Sequence, residues 1–225
     1  MNNEDKFPGR DRRYPNAFNP CKFTLDRIRE EIIIFSKSIP NNSVILDFGC
    51  GEKPYYPFFA DHADKYIGLD IDDSPERNDK MNLIIKQGDI LPFPDEYFDV
   101  IISTEVFEHV EDIWLYAREF KRVLKKGGRV LISAPFVWDY HPYPHDFWRI
   151  SEDGWRAMFR DFSQISFTFD TNSVQTILQA INLLMTRKGI ANKLIFRIMN
   201  HIIGKFDHNK GDKKIPANIF VTLKK

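Results

Sequence analysis

Residues 44–51 read Val-Ile-Leu-Asp-Phe-Gly-Cys-Gly, an apolar run that passes straight into a glycine turn. No other feature constrains the fold as tightly. Strands that are apolar throughout belong to parallel sheets covered on both faces, and the ligands of such sheets lie at the strands' carboxyl ends. Gly49 and Gly51 let the backbone approach a bound molecule closely. The turn departs from the dinucleotide fingerprint: a third glycine is missing, Lys53-Pro54 follow, and Asp47 precedes the first glycine. An acid there suits a ligand carrying an ammonium group better than a pyrophosphate.

The spacing beyond the turn extends this reading. Residues 66–70 form a second apolar run closed by Asp70, where a carboxylate can hold a ribose diol by accepting two hydroxyl hydrogen bonds. A third run, 83–85, leads to Gly88-Asp89-Ile90. A fourth, 98–103, ends at Thr104-Glu105 and then Glu108-His109-Val110. With its acid-x-Gly-x-Gly turn, its acids closing successive strands and its segment 91–100, the chain resembles the class I S-adenosylmethionine-dependent methyltransferases. The resemblance implies S-adenosylmethionine as cofactor, with Asp47, Gly49, Cys50, Gly51, Asp70, Thr104 and Glu105 around it. It further implies Asp89 at the adenine amino group and Ile71 and Ile90 packed on the ring. His109 is expected to support the fold and the cofactor pocket.

Alternating strands and helical stretches predict an α/β fold with a doubly wound parallel sheet. The resemblance makes this a seven-stranded, Rossmann-like methyltransferase sheet with the last strand inserted antiparallel near an edge. Thr24 is read as the cap of a helix carrying Leu25, Ile28, Ile32 and Phe35. Residues 112–124 form another helix, stopped by Gly127-Gly128, and Ser151 opens a third. Residues 1–20 are expected to be an N-terminal arm, with Tyr14 and Phe18 folding toward the active site. Residues 21–225 are expected to form one domain with a helical insertion at 173–216. The insertion has two apolar stripes, Ile177-Leu178-Ile181-Leu184-Met185 and the run from Leu194 to Ile203, with basic residues between. Packing beside the sheet with one face over the acceptor pocket is the expectation; a dimer surface or a weak membrane-surface contact are the alternatives.

Composition narrows the partners. A hydrophobic share of 43% over 225 residues suffices for a core, and 32 basic against 32 acidic residues argue against nucleic acid as the main partner. Two distant cysteines, Cys21 and Cys50, make no disulfide framework, and residues 1–13 lack the apolar core of a signal peptide. A cytoplasmic protein with no transmembrane segment, monomeric or homodimeric, is expected.

The chemistry is expected after the fifth strand. Residues 135–149 hold two histidines, two acids, an arginine and several aromatics at a strand's carboxyl end. Histidine titrates near neutrality, which suits a base. His141, His145 and Asp146 are the catalytic candidates; Tyr143, Trp148, Arg149 and Tyr14 are the candidates for acceptor binding. Two histidines and an acid could ligate zinc, but no cysteine cluster accompanies them and no metal is expected. The run His-x-x-Pro-x-Asp-Phe-Trp-Arg at 141–149 resembles a segment of a bacterial methyltransferase subgroup that tailors surface polysaccharides or small molecules. The function so implied is methyl transfer to a small or sugar-like acceptor, at oxygen. A nicotinamide-dependent oxidoreductase and a silent cofactor-binding module of the same fold are the rivals.

Overall fold

The computed structural model describes residues 8–72, 82–142, 144–190, 192–206 and 210–225. Seven strands make one sheet: β1 (Ser43–Phe48), β2 (Ala63–Ile71), β3 (Leu83–Ile85), β4 (Phe98–Thr104), β5 (Leu124–Pro135), β6 (Gln164–Phe169) and β7 (Asn218–Lys224). Their order is β3-β2-β1-β4-β5-β7-β6. The first five are parallel, while β7 runs antiparallel to both β5 and β6. The doubly wound sheet and its antiparallel insertion are therefore as expected. The order reverses between β1 and β4, and that switch point opens a crevice at their carboxyl ends.

Side-chain alternation builds a core on each face. Ile45, Val100, Ile102, Leu131 and Phe220 meet α2 (Lys22–Ser36) through Ile28, Ile32 and Phe35. Their neighbours Leu46, Phe48, Ile101 and Val130 face the opposite way, toward α3 (Ile113–Val123) and α4 (Glu152–Met158). There Phe107, Phe120, Trp155 and Phe159 interlock at ring separations of 5.5–6.0 Å. Each fully buried ring contributes about 1.5–3 kcal/mol.

Two local expectations change. Helix α2 starts ahead of Thr24, with Cys21 at its N-cap, so Thr24 is a buried helical residue and not a cap. Gly127-Gly128 does not stop α3: β5 begins at Leu124, directly after Val123, and the glycines lie inside the strand. The ladder there is irregular between Phe98 and Val100, and Gly127 takes φ 76°, a turn that glycine adopts without strain.

The insertion departs furthest. Its helices, α5 (Ser173–Arg187) and α6 (Lys193–Lys205), form a hairpin, but α5 buries its polar face: Gln175, Thr176, Gln179 and Asn182. Gln179 and Asn182 donate to the Pro20 carbonyl, and Gln175 Nε2 donates to the carbonyls of Ile203 and Phe206. The expected apolar stripes are thus left largely exposed, with Ile177 at 52% and Leu194 at 63%. The partners offered to α5 are backbone carbonyls of the N-terminal segment and of the end of α6, which a polar donor satisfies and an aliphatic side chain does not.

Candidate functional site

The carboxyl ends of β1, β2 and β4 open into a cleft of about 460 Å³. At its floor Gly49 N and Cys50 N donate to Leu69 O, at 2.8 and 3.1 Å, which seats the turn on β2. Gly49 has φ 74°, and a Cβ there would collide with Val106. No other residue fits that position. Gly51 N and Ile71 N each donate to the Asp70 carboxylate at 2.8 Å, so it is fixed at the cleft wall. Asp47 lies beneath the turn, outside the lining, where Tyr66 donates to it at 2.6 Å. Burial pushes its carboxyl up to about 7 against the pull of that bond. Cys50 is buried too, and its thiol is driven upward mainly by burial.

One end of the cleft is flat and mostly apolar, formed by Phe48, Ile71, Gln87, Val110 and Tyr116. Asp89 and Ile90, expected at the adenine, do not line it. Asp89 accepts from Lys86 N at 2.9 Å, and Ile90 is 66% exposed. Gln87 and Tyr116 occupy that wall instead. Gln87 Nε2 donates to His109 O and Tyr116 Oη accepts from Gly88 N. In the sequence Tyr116 is one residue of the helix expected over 112–124, and nothing singles out Gln87.

The other end is ionisable. Glu105, at φ 56°, accepts from Ser133 Oγ at 2.6 Å, and burial raises its carboxyl. A left-handed backbone at a bulky residue is strained and recurs at functional sites. Glu108 is fully buried, and neither of its oxygens has a hydrogen-bond partner among the described residues. Burial, and then the Glu105 charge, raise its carboxyl well above the usual range. His109 Nε2 stands 3.5 Å and His141 Nε2 3.9 Å from Glu108 Oε1. The Nδ1–H of His141 donates to Asp139 O at 2.9 Å, and that of His109 to His145 O. In the neutral ring that donation leaves each Nε2 as a lone-pair acceptor facing the Glu108 carboxyl. A carboxyl raised so far favours holding a proton beside two imidazoles, so the cluster is built to share a proton or take up a cation. Its ligand atoms lie within 4.8 Å of one another, so the same three residues could hold a metal ion.

The remaining loop candidates serve the loop's shape. Asp146 accepts from His141 N at 2.9 Å and from both Arg149 terminal nitrogens, at 2.5 and 2.8 Å. Burial would raise its carboxyl, but Arg149 and the His141 N–H take it down to about 2. Trp148 Nε1 donates to Val110 O. His145 is exposed and lies against Phe147; neither it nor Trp148 or Arg149 lines the cleft. Tyr143 lies outside the described residues. From the arm, Tyr14 stacks under Arg29 at 5.4 Å, away from the cleft, while Arg12 and Asn19 line it. Buried Arg13, which sequence reasoning missed, donates to Pro8 O and Pro54 O and ties the arm to the glycine turn.

Comparison with known proteins agrees with this layout. Residues 46–132 match the family model described as a methyltransferase domain. A probable S-adenosylmethionine-dependent methyltransferase of Mycolicibacterium smegmatis is 35% identical over 96 residues, 40% of this chain and 37% of that protein. An uncharacterized methyltransferase of Mycobacterium leprae is 34% identical over 101 residues, 42% of this chain and 38% of that one. The chain thus spans less than two fifths of the length of these relatives. Among solved structures, an S-adenosylmethionine-dependent methyltransferase from Archaeoglobus fulgidus superposes with a TM-score of 0.56 at 16% identity, covering 90% of this chain and 94% of that one. The [4+2]-cyclase SpnF gives 0.57 at 16%, covering 93% and 85%. At such identities the likeness concerns fold alone. Residues 46–132 carry the sequence of a methyltransferase domain, and the sheet around them has the fold of the S-adenosylmethionine-dependent methyltransferases.

Proposed function

We propose that this cleft binds S-adenosylmethionine and that its methyl group passes to a hydroxyl of a small or sugar-like acceptor, such as a polysaccharide precursor. The observation that carries the reading is one continuous cleft joining a glycine turn and a fixed Asp70 to a buried carboxylate between two imidazoles. Asp70 takes the ribose hydroxyls, Ile71, Gln87 and Tyr116 frame the adenine, and Gly49 and Gly51 admit the amino-acid end. Asp47 then acts from beneath, holding the turn through Tyr66. Residues 21–225 work as one domain, with 8–20 walling the acceptor end.

Transfer from a sulfonium is an in-line displacement whose leaving group is already activated, so positioning at ~3–3.5 Å dominates. The acceptor oxygen forms its bond to the methyl carbon as the sulfur–carbon bond breaks, and the hydroxyl proton must leave. His141 Nε2 is the base in this reading: it lines the cleft, the ring is held through Nδ1 by Asp139 O, and its neutral form presents the Nε2 lone pair beside Glu108. Asp146 and Arg149 position it without touching the acceptor.

Calorimetry with S-adenosylhomocysteine and with NAD tests the cofactor; binding of NAD alone to folded protein returns the oxidoreductase reading. Radiolabelled S-adenosylmethionine offered with pooled nucleotide sugars and glycans tests the acceptor. Label that stays in the cofactor across the pool, despite tight S-adenosylhomocysteine binding, overturns the sugar-like acceptor.

A further inference from the structure

Helix α5 is amphipathic in the wrong sense for a helix that only packs on its own domain. Its polar side is buried, and Val174, Ile177, Ile181 and Leu184 stand exposed along the other. Helix α6 carries a second row, Leu194, Ile198 and Ile202, all exposed at one-turn spacing. Ile190, in the connection, is exposed as well. An apolar stripe this long on a soluble monomer marks an interaction surface.

Charge decides what covers it. From residue 173 to 206 the chain carries Arg187, Lys188, Lys193, Arg197 and Lys205 and no Asp or Glu, within a protein of formal charge zero whose remaining residues hold 27 basic against 32 acidic side chains. All five are exposed; Arg187 is paired with Asp139, which leaves Lys188, Lys193, Arg197 and Lys205 to meet a partner. A second copy of this hairpin would bring cations against cations, and like charges across an interface are penalised. An anionic surface is complementary to it. Aliphatic side chains flanked by Lys and Arg are the composition of helices that lie in the interfacial plane of a bilayer. No helix among the described residues is long and apolar enough to cross one.

We infer that the exposed face of the α5–α6 hairpin docks this protein on a membrane surface rich in anionic lipid. The aliphatic stripe enters the headgroup boundary and the basic residues meet the lipid phosphates. Polar residues on the buried side of α5 fit this arrangement, since they hold the hairpin to the 17–20 segment and leave its apolar side outward.

Co-sedimentation with vesicles tests it on the full chain, using phosphatidylcholine alone and phosphatidylcholine mixed with phosphatidylglycerol. Binding is expected only to the anionic vesicles and falls as salt is raised. Lys193→Glu with Arg197→Glu should weaken it at least tenfold, since each surface cation is worth about fivefold. Ile181→Gln with Ile198→Gln should weaken it comparably; both side chains are exposed, so the melting temperature should hold. Folded wild-type protein that ignores anionic vesicles overturns the inference, as does binding that neither variant weakens. Light scattering showing a dimer that the Ile181→Gln and Ile198→Gln pair dissolves would assign the face to a second copy instead.

Discussion

The two ends of the cleft are made in different ways. At the glycine-turn end, backbone does most of the work: Gly49 N, Cys50 N, Gly51 N and Ile71 N donate within the turn and at the strand edge, and Asp70 adds a charge to the wall. At the ionisable end almost everything is side chain. Glu105, Glu108 and His109 come from the turn after β4 and His141 from the loop after β5, while Arg12 comes from the arm. Backbone sites are fixed by the sheet and change little with sequence. Side-chain sites are assembled from distant segments and can be retuned one residue at a time. Binding is therefore expected to fail through the first end and turnover through the second.

The sharpest way to break that division is His141→Ala. General-base catalysis contributes about 10²–10⁴-fold. Turnover with the true acceptor should fall in that range, while S-adenosylhomocysteine affinity stays within about threefold, an order-of-magnitude allowance for a distant contact. Single-turnover kinetics beside calorimetry separates the two numbers. His145→Ala, at an exposed position outside the cleft, should leave both nearly unchanged. Equal losses at His141 and His145 would show that the loop acts as a unit and that the division is false.

Asp70→Ala should give the converse result at smaller size. Loss of a carboxylate placed for two hydroxyls costs about 1–3 kcal/mol of cofactor binding. That is roughly 5- to 150-fold in Kd, with kcat at saturation little changed. Tyr116→Phe is milder. It removes the acceptor for Gly88 N, and a drop in S-adenosylhomocysteine affinity of about two- to tenfold is expected from one hydrogen bond. An unchanged Kd would take Tyr116 out of the adenine wall.

The same division governs what could be read before the fold was known. Strands and glycine turn were legible because each is a local pattern: apolar runs of strand length ending in an acid or a glycine. The resemblance at residues 44–51, 66–70 and 98–110 supplied the antiparallel last strand. Gln87 and Arg12 escaped because nothing local marks a residue whose role comes from a neighbour far along the chain. Asp89 and Ile90 do not line the cleft, while the turn after β3 brings Gln87, two positions earlier than Asp89, into its lining. His145 looked equivalent to His141 in a loop of unusual composition, yet one faces Glu108 and the other is exposed. The insertion's stripes were correctly seen as helical. Their direction was not, because it depends on the carbonyls of residues 17–20 that α5 must satisfy.

A separate contrast lies in stability, where the two halves should answer pH with opposite signs. Asp47 is raised by burial to about 7 in the folded protein, against an ordinary value of 3.8. A raised acid favours folding while protonated, so its contribution is present below about pH 4 and is lost as pH climbs through 7. Asp146 is lowered to about 2 by Arg149 and His141, so its contribution is present above about pH 4 and is lost as pH falls through 2. Asp47→Asn should then gain on wild type between about pH 4 and pH 7 and hold that gain above it. Asp146→Asn should trail wild type at neutral pH and close the gap on acidification. Melting temperatures across the pH range read both, at about 2–4 °C for each kcal/mol in a chain of this size. Asp47 should lose most of its effect once S-adenosylhomocysteine is bound, if the ligand's ammonium group stabilises the carboxylate through the turn; Asp146 should not notice the ligand. Parallel pH curves for the two variants would mean that the turn and the loop share one electrostatic environment, and the contrast between backbone and side-chain halves would not extend to stability.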